Sequence, residues 1–222
     1  MGGKLRDAAA SRARLRAAAA DEFAARGFAG ASVDRIATRA RVTKAMVYYH
    51  FASKAALYRE ILRDLFAAVA DRVALVRAAA GPPDQQLAGF IRAINETALA
   101  EPRFPPMWLR EIADGGRQVD DSVLRQVGRV LATLAEILAD GRAAGDFRDV
   151  APLIVQFGIV GPLLLAAATE PIRDRARARA RSRAPVPLPV PAITREAVAE
   201  HVQRMTLAAL KPLEAVTTRR TR

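Results

Sequence analysis

Hydrophobic residues recur along almost the whole chain at the three- and four-residue spacing of an α-helix. No segment alternates apolar and polar residues as a half-buried strand does. Alanine, leucine and arginine, which favour helices, dominate these segments. Glycine and proline interrupt the pattern at six places, the last of them the proline-rich run from 185 to 191. These breaks predict eight or nine helices and an all-α fold.

The first quarter of the chain predicts four helices in close succession. A helix over about residues 7–26 has an apolar stripe on one face, and Gly27 stands where a left-handed cap is expected. Three residues of the types that cap helix N-termini follow: Ser32, Thr43 and Ser53. They predict short second and third helices up to about residues 40 and 50, and a long fourth helix over residues 54–76.

Two short helices joined by a turn of three to four residues and packed on a longer helix form a helix-turn-helix. Apolar residues take the positions that would lock the pair together: Val33, Ile36, Ala37, Val42, Val47 and Phe51. Hydrogen-bond donors and aromatic residues take the outward positions: Arg35, Arg39, Thr43, Lys44, Tyr48, Tyr49, His50 and Lys54. Such groups suit phosphates and base edges, so the pattern indicates DNA binding. A merely solvated face on a small helical bundle is the alternative.

Beyond residue 80 the pattern predicts helices over about residues 83–100, 106–113, 120–144, 150–168 and 194–216. The segment over 150–168 is apolar on all sides, with Gln156 its only polar side chain. Its length allows a membrane span, although two prolines and two glycines weaken that interpretation. Burial between a subunit core and a dimer partner requires the same composition. We therefore expect a buried helix and no membrane.

Arginine stands at every second position from 173 to 183, and a proline-rich run follows. On a helix this spacing spreads the charge around the axis and makes no single binding stripe. We expect residues 170–192 to form a mobile, solvated linker with polyproline character. A supplementary contact with DNA or with an acidic partner is the alternative.

The net charge of +12 is concentrated at the two ends of the chain. Residues 1–66 carry 13 basic and 6 acidic side chains, and residues 169–222 carry 12 and 5. Residues 67–168 carry 10 and 12, so the middle is nearly neutral. A basic N-terminal module points to a polyanionic partner, with nucleic acid first and a membrane surface second.

The 222-residue chain lacks residues and motifs that several classes of functional site require. It has no cysteine and only two histidines, which excludes a disulfide framework, a thiol nucleophile and a multi-histidine metal cage. It also lacks a phosphate loop, a dinucleotide-binding motif and a nucleophile elbow. We expect no catalytic residue, metal or cofactor. No signal peptide is visible because charged residues interrupt the alanine runs, so the expected location is the cytoplasm.

The run from Phe23 to Leu57 resembles the N-terminal DNA-binding domain of the TetR family of bacterial transcriptional repressors. The shared pieces are Phe-Ala-x-x-Gly-Phe, Ser-Val-x-x-Ile-Ala, Val-Thr-Lys, Tyr-Tyr-x-Phe and Ser-Lys-x-x-Leu-Tyr, in the family's order and spacing. Two positions depart from the pattern. Arg41 stands where the family usually has glycine, so either it adopts a left-handed conformation at a cost of about 1 kcal/mol or the turn differs slightly. Ala45 also stands where the family often has glycine.

The resemblance implies a DNA-binding domain over residues 1–65 and an effector-binding and dimerisation domain over 66–222. The matched positions, together with the outward Arg39, give the candidate DNA-binding residues: Ser32, Arg39, Thr43, Lys44, Ala45, Tyr48, Tyr49, His50 and Lys54. The family layout implies a homodimer through the helices at about 150–168 and 194–216. It also implies a repressor that a small apolar or aromatic effector releases from a palindromic DNA operator. A DNA-binding regulator without a small-molecule effector, constitutive or controlled by a protein partner, is the alternative.

Apolar and aromatic residues expected to face the middle of the second domain are the candidates for the effector site. They are Phe90, Ile94, Phe104, Met107, Trp108, Val127, Leu131 and Phe157. Polar residues that could orient a ligand are Asn95, Arg110, Glu111 and Gln156. Ordinary core packing is the alternative for each. We expect the fourth helix to link the two domains, since it begins at Lys54 and continues into the second.

Overall fold

The structure is a computed structural model that describes residues 2–181 and 192–212. In these two ranges it contains nine α-helices and no strand. They are α1 (Gly2–Gly30), α2 (Val33–Ala40), α3 (Lys44–His50), α4 (Lys54–Ala78), α5 (Pro83–Ala100), α6 (Phe104–Ala113), α7 (Asp121–Ala143), α8 (Pro152–Arg181) and α9 (Arg195–Leu210). The predicted all-α fold is confirmed.

The helices share one hydrophobic core. α4 packs against α7 and α5, while α8 packs against α9 and α9 in turn against α5. α1 contacts α2, α4 and α6, and α6 also contacts α8. The predicted division at residue 65 therefore falls inside α4, a helix that packs on both the N-terminal helices and the later ones.

Side-chain caps were predicted at the N-termini of α2, α3 and α4, and two of the three are present. Thr43 accepts a hydrogen bond from the Met46 N–H, and Ser53 accepts one from the Ala56 N–H. The prediction for Ser32 was wrong, because its side chain makes no cap bond at α2. Its own N–H instead donates to Oε1 of Glu22 on α1, at 3.3 Å.

The turn between α2 and α3 depends on a residue with positive φ. Arg41 has φ 56° and ψ 47°, so the predicted left-handed conformation is confirmed. Two hydrogen bonds close the turn, from the Arg41 N–H to the Thr38 carbonyl and from the Val42 N–H to the Ala37 carbonyl. Ile36 and Val47 are buried on the two sides of this turn, as the helix-turn-helix pattern predicts.

α1 extends to Gly30, four residues beyond its predicted end, by passing through a kink. Gly27 has φ 68° and ψ 177°, a region that only glycine adopts readily. Phe28 follows the kink and folds back, so that its ring stacks on Phe23 with 6.4 Å between centroids. The same ring meets Tyr58 of α4 edge-on at 5.3 Å.

α8 is longer than predicted, and the prediction of a linker is wrong for residues 170–181, which are helical. Alanine and arginine are strong helix formers, and their propensity outweighs the absence of an apolar stripe. Arg173 donates to the Ala166 carbonyl of its own helix at 2.9 Å, and Arg177 pairs with Asp174. The rest of the predicted linker, residues 182–191, lies outside the described residues.

α6 and α9 also differ from their predicted bounds. α6 begins at Phe104 rather than near residue 106, since proline fits the first helical turn, where its missing N–H costs nothing. α9 ends at Leu210 instead of continuing to about residue 216. Lys211 has an extended backbone, because the ring of Pro212 disfavours a helical conformation for the residue that precedes it. Residues 213–216 lie outside the described part of the chain.

One face of α8 is apolar and exposed in the single chain. Its exposed large side chains are Leu153, Ile154, Phe157, Leu165 and Ile172. The opposite face, which includes Val155, Ile159 and Leu163, is buried in the core. The segment Pro152–Arg179 is long and apolar enough to cross a membrane by length and composition alone. A helix with one packed apolar face and one exposed apolar face is typical of a protein interface.

Candidate nucleic-acid interface and effector pocket

α3 lies on the surface and presents aromatic rings to solvent. Val47 is its one buried residue, whereas Tyr48 and Tyr49 are exposed, Tyr49 by 76%. Thr43 and Ala45 at the start of the helix are exposed as well. An exposed tyrosine combines a flat apolar ring with a hydroxyl donor, which suits contact with sugars, phosphates and bases.

Two cations beside this face are held by exposed ion pairs. Lys44 Nζ lies 3.0 Å from a carboxylate oxygen of Asp34, and Arg39 Nη2 lies 2.9 Å from a carboxylate oxygen of Asp21. The hydrogen bond to Asp34 raises the pKa of Lys44, so its side chain stays protonated. Exposed pairs of this kind contribute little to stability, so a DNA phosphate can replace either carboxylate at small cost.

Three other predicted DNA contacts are placed less favourably. Lys54 Nζ donates to the carbonyls of Phe28 and Ala31 at 2.9 and 3.1 Å, and it lies 4.5 Å from the centroid of the Phe28 ring. The ammonium therefore closes the loop between α1 and α2 instead of facing solvent. The Ser32 N–H is held by Glu22, and His50 is half-buried. The exposed face thus consists of Thr43, Lys44, Ala45, Tyr48 and Tyr49, with Arg39 exposed on α2.

Glu22 is a structural residue of this domain that the sequence analysis missed. Its carboxylate is 7% exposed and accepts hydrogen bonds from Arg35 Nε at 2.6 Å and from the Ser32 N–H. Burial raises the pKa of Glu22, but these hydrogen bonds and the charges of Arg35 and Arg26 outweigh burial and bring it below 4.5. The available signal was an acidic residue directly beside Phe23 on the apolar stripe of α1.

Replacing Glu22 with glutamine is expected to destabilise the protein in a pH-dependent way. A carboxyl group whose folded-state pKa is depressed stabilises the fold above its unfolded-state pKa, and that stabilisation is lost as pH falls through the folded-state value. The variant should therefore melt at a lower temperature than the wild type at about pH 7, and the difference should be smaller at about pH 3. Melting curves at both pH values test this, and an equal difference at both would contradict it.

A cavity of about 460 Å³ lies among α4, α5, α6, α7 and α8. Six of the predicted effector-site residues line it: Ile94, Phe104, Trp108, Val127, Leu131 and Phe157. Gln156, predicted as an orienting residue, lines it too. Five other predicted residues do not line the cavity. Phe90, Met107 and Glu111 are buried elsewhere in the core, and Asn95 and Arg110 also lie outside the cavity wall. The wall includes residues that the sequence analysis missed: Phe66, Val69, Ala98, Leu109, Ile112, Val130, Leu153, Val160, Gly161, Leu163 and Leu164.

The aromatic corner of the cavity is formed between α4 and α6. Phe66 meets Trp108 and Phe104 edge-on, with centroids 4.7 and 4.9 Å apart. On the α8 side, Leu153 and Phe157 both line the cavity and belong to the exposed apolar face of α8. The cavity therefore has an aromatic end between α4 and α6 and another end beside that exposed face.

α6 connects the cavity to the N-terminal helices. Its Phe104, Trp108 and Ile112 face the cavity. From the same helix, Arg110 donates hydrogen bonds to the carbonyls of Ala24 and Ala25 near the Gly27 kink of α1. α4, the helix expected to link the two domains, lines the cavity with Phe66 and Val69. α6 contacts both the cavity and α1, which the sequence analysis did not predict.

A buried hydrogen bond joins α6 to α4. The Tyr58 hydroxyl donates to Glu111 Oε2 at 3.0 Å, and the other Glu111 oxygen accepts from the Gln118 N–H at 2.6 Å. Burial, with Glu111 beside it, raises the pKa of Tyr58, so the hydroxyl keeps its proton and remains the donor. Tyr58 packs edge-on against Phe23 of α1 at 4.8 Å, so Glu111 is linked through it to the helix that supports α2.

Asp120 caps the N-terminus of α7. Asp120 accepts hydrogen bonds from the Ser122 hydroxyl and from the N–H groups of Ser122 and Val123, at 2.6 to 3.2 Å. The hydroxyl bond is the largest of the effects that lower the pKa of Asp120. Within residues 2–181 and 192–212, no group of three or more histidine, aspartate or glutamate side chains could hold a metal ion.

Comparison with known sequences identifies the N-terminal region. The family described as bacterial regulatory proteins, tetR family, matches residues 15–61, which include α2 and α3. The transcriptional repressor NicS of Pseudomonas putida is 30% identical over 134 residues, which are 60% of this chain and 63% of that protein. The alignment thus covers less than two-thirds of the length of this curated relative.

Solved structures extend the likeness to most of the chain. The ketosteroid transcriptional regulator KstR2 of Mycobacterium tuberculosis superimposes with a TM-score of 0.67 at 21% identity, over 91% of this chain and 95% of that one. FadR from Bacillus subtilis, solved in complex with stearoyl-CoA, gives a TM-score of 0.67 at 15% identity, over 89% and 98%. These likenesses show a common fold. Residues 15–61 therefore carry a helix-turn-helix that matches the tetR family of bacterial regulatory proteins, within a chain that shares the fold of these solved regulators along most of its length.

Proposed function

We propose that the protein is a cytoplasmic, homodimeric transcriptional repressor that a small apolar molecule releases from a palindromic DNA operator. The observation that carries the proposal is the face of α3, where Tyr48, Tyr49 and Lys44 are exposed on the second helix of a helix-turn-helix. In such motifs the second helix enters the major groove and its first residues contact base edges. The first residues of α3 are Lys44 and Ala45, after the Thr43 cap.

Two copies of α3 are needed to read a palindrome. The exposed apolar face of α8, with Met205 on the neighbouring α9, supplies the surface for a second subunit. An isologous dimer through α8 and α9 would cover this face and form a four-helix bundle. The two recognition helices would then meet successive major grooves, about 34 Å apart. The same burial accounts for the apolar composition of α8 without a membrane.

The cavity and α6 support control by a small molecule. A repressor without an effector needs no cavity of this size, whereas about 460 Å³ lies within the range of small-molecule sites. A ligand against Trp108 and Ile112 would favour one position of α6, and Arg110 would carry that preference to α1. Release from DNA then follows if the ligand binds more tightly to the dimer geometry that does not fit the operator.

Selection from a pool of random DNA duplexes tests the proposal. At about 0.15 M salt, where non-specific binding is weak, the protein should enrich an inverted repeat. Anisotropy titration of a labelled duplex with that repeat should saturate at two chains per site, and a shuffled duplex of equal length is the control. Enrichment of no sequence, or equal affinity for both duplexes, would contradict the proposal.

A further inference from the structure

The last part of α8 is strongly basic. Residues 171–181, the basic extension of α8, contain five arginines and one aspartate, and the helix continues through them to Arg181. They add about 16 Å to the length of the helix. Neither the exposed face of α3 nor the cavity, which α8 lines only as far as Leu164, uses this charge.

The arginines of the extension are only partly neutralised within the chain. Arg177 pairs with Asp174, and Arg173 donates to the Ala166 carbonyl, which carries no net charge. Arg175 is exposed and has no hydrogen bond or ion pair among the described residues. The extension therefore keeps an excess of positive charge and suits a polyanionic partner.

α8 begins at the end of the molecule that is remote from α3. α4 starts just after α3 and runs for 25 residues, which is about 37 Å along its axis. At its end Arg77 pairs with Asp140 of α7 at 2.7 Å, so α7 ends there too. Arg142, close by on α7, pairs with Asp149, which lies just before α8.

A series of ion pairs places the base of the extension near the DNA-binding helices. Glu170 pairs with Arg195, which also donates to a carbonyl in the last turn of α5. Just past the end of α5, Arg103 lies 3.6 Å from Asp21 of α1. Asp21 pairs in turn with Arg39 of α2, an exposed candidate for DNA binding. α8 therefore runs toward the N-terminal helices, and the extension continues in that direction.

The proposed dimer would bring two copies of the extension together. α8 presents the exposed apolar face for the second subunit, so its continuation would lie beside the twofold axis. The middle of a palindromic operator lies on the same axis, between the two recognition helices. Two basic segments that repel each other in the free dimer would face phosphates of both DNA strands there.

We propose that the basic extension of α8 contacts phosphates at the middle of the operator, between the two sequences that α3 contacts. This inference rests on the proposed function, since it adds a second DNA contact to the same dimer. Contacts with phosphates do not read the base sequence. They raise affinity by releasing the counterions that surround DNA.

Arg175→Ala tests the contact, since alanine preserves the helix and Arg175 is exposed. Each dimer would lose two phosphate contacts, so the slope of log affinity against log salt concentration should become shallower by about 1.8. At about 0.15 M salt, affinity for the selected operator should fall at least about tenfold. Arg175→Lys keeps the charge and should retain the wild-type slope.

The matched control is Arg142→Ala, which removes one exposed arginine at the end of the molecule remote from α3. Because the Debye length is about 8 Å at this salt concentration, its operator affinity should change by less than about twofold. A wild-type slope in Arg175→Ala would overturn the inference, and so would an equal loss of affinity in Arg142→Ala.

Uncharged methylphosphonates in place of the central phosphates of the operator test where the extension binds. The wild type should lose affinity for this duplex at least about tenfold. Arg175→Ala should bind the modified and unmodified duplexes within about twofold of each other, because its contact is already lost. Equal losses in both proteins, or none in the wild type, would overturn the inference.

A shuffled duplex at low salt separates this inference from the proposed function. Phosphate contacts do not depend on sequence, so Arg175→Ala should have a shallower salt slope than the wild type there too. If this difference appears but no operator is enriched, the extension contacts DNA and the proposed repressor fails. If an operator is enriched and Arg175→Ala binds it as the wild type does, the proposed function is supported and the inference is overturned.

Vesicles of phosphatidylcholine and phosphatidylserine test the other polyanionic partner, a membrane surface. The wild type and Arg175→Ala should differ in their binding to DNA and not in their binding to these vesicles. Tighter binding of the wild type to the vesicles, with equal binding of both proteins to DNA, would overturn the inference and identify a membrane as the partner.

Discussion

Replacing Leu165 with glutamate is expected to produce a monomer and to weaken operator binding by at least about 100-fold. Leu165 is 62% exposed on the apolar face of α8 and does not line the cavity. In an isologous dimer each subunit contributes one copy, so the interface would have to bury two unpaired carboxylates. Loss of the dimer separates the two recognition helices, and each then binds its half-site alone.

Light scattering measures the mass of the variant, and anisotropy on the selected operator measures its affinity. The matched control is Leu75→Glu, since Leu75 is 71% exposed but lies near the end of α4. That variant should remain a dimer and bind the operator as the wild type does. A dimeric Leu165→Glu variant with wild-type affinity would refute the assignment of the α8 face.

Replacing Ala45 with glutamate should abolish operator binding without destabilising the fold. Ala45 is exposed in the first turn of α3, where the helix dipole favours a negative side chain by about 0.3–1 kcal/mol. The same carboxylate would face DNA phosphates and replace a small residue at the groove. We expect operator affinity to fall by at least about 100-fold, since both half-sites of a dimer are affected.

The neutral variant Ala45→Gln isolates the effect of charge from that of size. It should lose less affinity than Ala45→Glu, and the difference between the two should shrink as salt concentration rises. Thermal melting checks that the glutamate variant is at least as stable as the wild type. Unchanged operator affinity in Ala45→Glu would show that the start of α3 does not approach DNA.

The sequence predicted the helix-turn-helix well because local rules determine it. Thr43 and Ser53 cap helices through bonds that reach only three residues along the chain. The left-handed Arg41 was expected from the resemblance, because the family usually has glycine at this position. The end of α8 was predicted less well. Residues 170–181 lack an apolar stripe, yet arginine and alanine continue the helix by their own propensity and by bonds within the helix.

The wall of the cavity could be predicted only in part, because it depends on packing between helices distant in sequence. Periodicity identifies Phe90 and Met107 as inward-facing, but it cannot tell that both fill the core while Phe66 and Leu109 line a cavity. The buried Glu22 is a similar case. Its carboxylate is stabilised there by Arg35, thirteen residues away, and by the N–H of Ser32.

The arrangement of α6 separates two requirements that evolution can satisfy independently. Phe104, Trp108 and Ile112 recur every four residues on the side that contacts the ligand cavity. Arg110, which donates to carbonyls of α1, lies on another side of the same ten-residue helix. Under the proposed function, side chains on the first side can therefore be exchanged to suit another effector. The inherited connection to the DNA-binding helices is preserved on the second.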